Sequence, residues 1–276
     1  MLSATMQPES FLSRVAVIIL TYNEAPNIRR TLAALSAFPE VIILDSGSTD
    51  ETLAIAAQFP NVRVQVRSFD QHAAQWNYAL KQCGVAREWI LALDADYVLS
   101  PALVNEIAAL KGNEGGAPIA GYRASFRYFV HGHMLRGTLY PPSVVLYRRA
   151  SAIYIQEGHT QRLVLPGRVA TLSNPMFHDD RKPLVRWLAS QHKYAELEAA
   201  HLLGKERDQR RWLDRIRLMA LPAPPLVFFY ALLWKRCILD GWPGWFYALQ
   251  RTYAEVLLAL GILDRRLRSQ SRDGAS

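Results

Sequence analysis

The sequence predicts an α/β fold: a mainly parallel sheet flanked by helices, followed by an apolar helical appendage with membrane character. Three observations carry that expectation. Short apolar, β-branched runs alternate with helix-periodic segments over about the first 110 residues, the pattern of βαβ units joined by right-handed crossovers. Polar or acidic stretches recur directly after those runs. Beyond residue 205 the chain turns to basic segments and interrupted apolar runs rich in Trp, Tyr and Phe.

Each element follows from its residues. Residues 15–20 (VAVIIL) form a buried strand candidate, and Pro26 opens a helix with Ile28, Leu32 and Leu35 on one face. Residues 41–44 read as a second strand. Ser48-Thr-Asp-Glu51 has the spacing of a capping box ahead of Leu53, Ala56 and Ala57. Val62, Val64 and Val66 alternate as in a strand, Trp76, Ala79, Leu80 and Cys83 mark a helix face, and 89–93 is the next buried strand. Ser100 and Pro101 are the N-cap and first residue of a following helix. Residues 123–130 and 144–147 read as further strands, with HGH (131–133) in a loop. A helix is expected over 181–203. Domain limits are placed at 12–204 and 205–268.

Bulk properties narrow the function. With 276 residues, half of them hydrophobic, the chain can bury one sizeable core. Its only cysteines, Cys83 and Cys237, lie outside any CxxC spacing, so neither a disulfide framework nor a zinc site is implied. A net charge of +8 points to an anionic partner. The charge gathers near residues 205–217 and around the late apolar runs, which favours an anionic membrane surface over nucleic acid. Each apolar run is shorter than a spanning helix needs, so helices lying in the membrane interface are expected; an apolar hairpin or a dimer contact would share the composition. The first fourteen residues lack the pattern of a signal peptide. The two histidines of HGH lack a third nearby ligand.

TYNE (21–24), DSGSTD (45–50) and DAD (94–96) each follow a strand. In an open parallel sheet, ligands bind outside the carboxyl ends of the strands, so the three clusters share one rim. Asp94 and Asp96 repel unless a cation lies between them, and Mg2+ or Mn2+ prefers such oxygen ligands. Solvation of a loop is the plainer reading of any one cluster alone.

The segments VAVIILTYNEAPNIRRTLAAL, VIILDSGSTDET and WILALDADYVLS together resemble the N-terminal half of inverting glycosyltransferase family 2, over residues 14 to 110. EGH, HDDRKPLVRWLASQHKYAELEA and LDGWPGWFYAL are similar to a subgroup, β-1,4-glucosyltransferase-like, that adds glucose or another hexose to lipopolysaccharide core or related lipid-linked glycans. The resemblance implies a GT-A (Rossmann-like) fold. It places Thr21, Asn23 and Glu24 along the base and ribose of a nucleotide-sugar, and gives Asp45 an N–H of uracil or guanine to accept. Ser46 and Gly47 would lie beside the nucleotide, Gln75 and Asn77 on a nucleotide-facing helix, and Asp94 at the ribose or sugar. Asp96 would hold Mn2+ or Mg2+ on the diphosphate, with His178 or His159 as a further contact. Ser48 and Asp50 are read as helix caps. The usual basic residues are missing from FDQHAAQWN.

An inverting transfer also needs a base, which the family places about sixty residues past the acidic triplet; Glu157 fits, with Asp179 and Asp180 as runners-up. Lys193 and Arg181 could bind diphosphate or an anionic acceptor, or form a solvated helix face. The implied partners are a UDP-hexose donor and a lipid-linked or lipopolysaccharide-core acceptor. The implied location is the cytoplasmic face of the bacterial inner membrane, held peripherally. Two competitors share the plan. A sugar-nucleotide nucleotidyltransferase would carry a Gly-rich basic loop where TYNEAPN stands. A non-catalytic membrane adaptor would have no need of the acidic pair.

Overall fold

The computed structural model describes residues 10–158 and 160–273; His159 lies outside them. In chain order the first elements are β1 (Val15–Thr21), α1 (Ala25–Ala33), β2 (Glu40–Asp45), α2 (Thr52–Ala56), β3 (Val62–Val66) and α3 (His72–Gln82). Next come β4 (Trp89–Asp94), β5 (Tyr97–Leu99), α4 (Pro101–Ala108), β6 (Ile119–Ala124), β7 (Phe126–Val130) and β8 (His133–Met134). Then follow β9 (Ser143–Arg148), β10 (Ile153–Glu157), β11 (Thr160–Val164), β12 (Arg168–Thr171) and β13 (Met176–His178). The chain ends in α5 (Leu184–Gly204), α6 (Trp212–Leu218), α7 (Ala223–Phe229) and α8 (Trp242–Asp273).

The chain divides into two compact units. The first holds residues up to 127 together with 140–155 and 162–181; the second holds 128–139, 156–161 and 182 onward. This differs from a boundary at 204. The reason is α5, whose Ala199 and Leu202 are buried with Leu218 of α6 and Leu258 and Ile262 of α8.

A seven-stranded sheet, in the order β12-β6-β9-β4-β1-β2-β3, forms the first unit's spine. β1 pairs parallel with β2 and β4, and β2 with β3. β9 runs antiparallel between β4 and β6. The residues of β1, β2 and β4 are almost all buried, as continuous apolar runs require when both faces are covered. One face packs on Ile28, Leu32 and Leu103, the other on Trp76, Ala79 and Leu80. Each such buried aliphatic side chain contributes roughly 1.5–3 kcal/mol. β3 is the sheet edge, which explains why Val64 and Val66 alternate yet remain exposed.

Two local readings change. The strand expected over 123–130 breaks at Ser125, leaving β6 in the main sheet and sending β7 into a hairpin with β8. Ser48 caps no helix: α2 begins at Thr52, whose backbone N–H donates to Asp50 Oδ1. The cap at Ser100 is as expected, its hydroxyl accepting from the Leu103 N–H at 3.1 Å.

In the second unit, α7 continues through one π-helical turn, Tyr230–Trp234. Ala231 and Leu232 of that turn are buried against Ala248 of α8. Among the described residues no single helix is long and apolar enough to cross a membrane; the pair Trp212–Leu218 and Ala223–Trp234 passes that test only together, bent by 120°.

Candidate active site

Strand register brings the polar clusters together. Thr21 sits opposite Asp45, and Leu20 opposite Asp94, so the loops after β1, β2 and β4 leave the sheet within one residue of each other. Strand order reverses at β1, which has β2 on one side and β4 on the other, and the crevice at such a switch point is where ligands bind.

The β2 end is saturated. Asp45 is fully buried, and its carboxylate accepts from Gly47 N (2.9 Å), Ser48 N (2.7 Å), Ser48 Oγ (2.6 Å) and Thr21 Oγ1 (2.7 Å). Four donors fill its acceptor sites. Asp45 thereby holds the 46–48 turn, with buried Thr21 as its partner on β1. Asn23 has φ +55°, a left-handed conformation that asparagine tolerates. Its carboxamide oxygen accepts from Thr49 N (2.7 Å) and its own N–H donates to Ser48 Oγ (2.7 Å). Glu24 takes a bond from Asn27 Nδ2 at 2.9 Å. Gly47 is exposed at the turn, and Ser46 Oγ accepts from Gln75 Nε2 at 2.9 Å.

Gln75 accepts in turn from Arg67 (2.5 Å), which also pairs with Asp70 (2.7 Å). Arg67 follows β3 directly and lies two residues before FDQHAAQWN. Its guanidinium draws the Asp70 carboxyl well below the usual range. The Asn77 carboxamide donates to Tyr154 O (2.8 Å) and accepts from Tyr154 N (2.9 Å), fastening β10 to α3.

The β4 end differs. Asp94 is exposed, while Asp96 is buried with Oδ2 3.3 Å from His178 Nε2. β13 lies antiparallel to β5 with His178 opposite Tyr97, which delivers the FHDD segment to the acidic triplet. Burial alone would lower the His178 pKa; the Asp96 carboxylate, then Asp94 and Asp180, outweigh it and raise it. The rings of Tyr97 and Tyr140 pack 5.3 and 4.9 Å from His178, and their hydroxyls bond to each other. Burial and the nearby Asp94 push the Tyr97 hydroxyl far above its ordinary pKa, so it stays protonated.

Residues overlooked in the sequence frame this end. Thr31 Oγ1 donates to Ala95 O at 2.6 Å, and Asp179 N to Asp96 O at 3.0 Å, fixing the triplet's backbone. Buried Asn27 bonds Asp180 Oδ1 (2.9 Å) and the Arg181 N–H (2.8 Å), and Arg30 donates to Asp179 O at 2.7 Å. Asn27 and Thr31 lie on the buried side of α1 beside Ile28 and Leu32, with Arg30 half-buried next to them. Asp179 is held by Arg181 at 2.9 Å and lies buried, while Asp180 is half-buried. Arg181 belongs to this framework. Glu157 lies in the second unit, where its carboxylate is 3.5 Å from Arg211.

Among the described residues no group of three or more His, Cys, Asp or Glu is placed to hold a metal ion. Asp94, Asp96 and His178 do not by themselves make such a group; Mn2+ or Mg2+ there would need oxygen ligands from substrate phosphates to complete its shell.

A mainly parallel sheet with an acidic pair at its switch point defines a GT-A-like α/β domain. Residues 16–162 match the family model described as glycosyl transferase family 2, and the chain belongs to that family. The lipopolysaccharide core biosynthesis glycosyltransferase LpsC of Rhizobium meliloti (strain 1021) is 25% identical over 241 residues, 82% of this chain and 84% of its own. An uncharacterized glycosyltransferase of Rickettsia felis (strain ATCC VR-1525 / URRWXCal2) is 37% identical over 97 residues, 35% of this chain and 33% of its own. The chain thus spans between a third and a half of the length of the Rickettsia relatives it matches. The crystal structure of S. aureus TarS 1-349 in complex with UDP-GlcNAc is similar with a TM-score of 0.49 at 18% identity, over 95% of this chain and 92% of that one.

Proposed function

We propose that this chain is an inverting hexosyltransferase that moves a hexose, glucose being the first to test, from a UDP-sugar to a lipopolysaccharide-core or other lipid-linked acceptor. It would act at the cytoplasmic face of the bacterial inner membrane, peripherally attached. The observation that carries the reading is the β4 end: an exposed and a buried aspartate, with His178, held at the switch point of a family 2 sheet. Similarity to LpsC along most of both chains supports the acceptor class.

The residues divide the work. Asp94 would orient the ribose or sugar, and Asp96, backed by His178, would hold a divalent cation at the diphosphate. Mn2+ or Mg2+ bound there supplies Lewis-acid neutralisation of the charge that develops on the departing UDP. Ser46 and Gly47 offer the turn against which a nucleoside lies, and Asn23 and Glu24 fix its other wall. Glu157 is assigned as base on the sequence reading. It takes the acceptor hydroxyl proton as that oxygen bonds to the anomeric carbon and the bond to the diphosphate oxygen breaks.

Thermal melting of detergent-purified protein with UDP, GDP or CMP, each with Mn2+ or EDTA, tests this. Ligand at about a hundredfold over its Kd adds roughly 2.7 kcal/mol to stability, a shift of several degrees. The expected result is a UDP shift that needs Mn2+ and is lost in Asp96→Asn. A GDP shift instead replaces the donor class. Folded protein that responds to no nucleotide rejects the reading in favour of a non-catalytic adaptor.

A further inference from the structure

The HGH segment has no part in the transfer chemistry, yet it has a defined setting in the second unit. His131 and Gly132, at φ +48° and +81°, make the two-residue turn that joins β7 to β8, with Val130 paired to His133. Both central residues of such a turn take positive φ, which glycine supplies without strain. The hairpin arm is fastened to the segment before α8. Arg136 pairs with Asp240 at 3.2 Å, and the Tyr247 hydroxyl accepts from Leu139 N at 2.8 Å. Gly137 lies so close to the Lys235 backbone that a Cβ there would stand 2.3 Å from its carbonyl oxygen.

Between the turn and the start of α8 lies a cleft of about 440 Å³. It is lined by Val130, Trp242, Pro243, Trp245, Phe246 and Leu249, with His131 and His133 as its polar members. Trp242 is 84% exposed, and Trp234, Ile238, Leu239 and Met134 nearby in this arm and its partner segment are exposed as well. In sequence, Lys235 and exposed Arg236 lie between Trp234 and Ile238, with the Lys235 ammonium 5.6 Å from the centre of the Tyr230 ring. A cleft of this size suits a single chain-like ligand. Its lining gives a sugar too few polar partners for its hydroxyls, since a buried hydroxyl without a partner is penalised. Two histidines without a third ligand do not make a metal site among the described residues. Exposed tryptophans beside aliphatic side chains and cations match the interface of a bilayer with anionic headgroups.

We propose that the 131–133 turn and the first turns of α8 form a lipid site, in which the aromatic cleft takes a hydrocarbon chain and Lys235 and Arg236 face the phosphate of an anionic membrane lipid. This enlarges the peripheral attachment read for the C-terminal segment by a hairpin some hundred residues earlier in sequence. It does not depend on the transfer reaction.

Vesicle flotation without any sugar donor tests it, comparing phosphatidylcholine alone with vesicles of about three parts phosphatidylglycerol to seven parts phosphatidylcholine. Full-length protein is expected to float with the anionic vesicles and to release as salt is raised. Trp242→Ser with Leu249→Gln, both at exposed positions, should weaken that binding about tenfold or more with an unchanged melting temperature. Lys235→Gln with Arg236→Asn should abolish the preference for phosphatidylglycerol; asparagine keeps the left-handed backbone of Arg236. The inference is overturned if the wild type fails to float. It is also overturned if cleft variants float like wild type while Leu226→Ser with Leu233→Ser does not, which would leave α7 as the only anchor. A dimer by light scattering that Trp242→Ser dissociates, without vesicle binding, would assign the surface to a second copy of the chain.

Discussion

Two strand ends lie side by side in the first unit, and both carry aspartates. At the end of β2, Asp45 is fully buried and receives four hydrogen bonds from its own loop and from β1. At the end of β4, Asp94 is exposed and Asp96 faces a histidine. The same residue type after the same kind of strand thus does opposite work. One carboxylate is saturated by its own loop, while of the other pair Asp94 is exposed and Asp96 faces His178. The difference lies in the donors around each, which strand propensity and spacing do not encode.

The comparison breaks most sharply at Asp96. Asp96→Asn should lower kcat by about 10²–10³, as loss of one key electrostatic contact at a transition state does, while the melting temperature without ligand stays near wild type. Unchanged turnover of a UDP-hexose by the variant would remove Asp96 from the chemistry. Asp45→Asn should do the reverse. An amide turned toward four donors leaves some facing its N–H groups, so urea unfolding should report a loss of about 2–3 kcal/mol. A variant as stable as wild type would show that the saturated carboxylate is not holding the turn.

A smaller effect is expected behind the β4 end, where Glu106 of α4 accepts from Ser173 N (2.6 Å) and Asn174 N (2.8 Å) just before β13. Burial would raise its pKa, but these backbone donors together outweigh burial and lower it below the ordinary value. A depressed folded-state pKa means the stabilisation is present above the unfolded value and fades as pH falls through the folded one. Glu106→Gln should therefore lose about 1 kcal/mol at neutral pH and show a flatter acid limb in melts between pH 6 and about pH 3. Equal acid limbs would count against the assignment. The smallest effect belongs to the second unit, where Leu221 is 77% exposed. Leu221→Ser should alter stability by less than about 0.5 kcal/mol, since little apolar burial is lost. A large drop in melting temperature would show that this surface is structural.

Much of the fold was legible. The buried runs of β1, β2 and β4 needed only their β-branched composition, and Ser100 and Pro101 marked the start of α4 through local capping chemistry. The common rim followed from strand direction alone. What was not legible depended on partners distant in sequence. Ser48 had the spacing of a cap, but Asp45 and the Asn23 backbone outcompeted the helix for its hydroxyl. Asn77 stood where a ligand contact was expected, and the Tyr154 backbone, 77 positions away, took both ends of its carboxamide. Arg67, Asn27 and Arg30 drew no attention because single polar residues on amphipathic elements are common.

The sequence by itself determined the order of strands and helices over about the first 110 residues, the placing of DAD at the end of a buried strand, and the family to which these motifs belong. All three rest on periodicity and local chemistry, which act within a few residues. Only the tertiary structure decided that Asp45 is saturated while Asp94 is exposed, that the His178 side chain meets the Asp96 carboxylate, and that the HGH turn lines an aromatic cleft. Those outcomes depend on the directions and burial of side chains brought together from distant segments, and the hydrogen-bond competition among them is resolved only once the chain has folded.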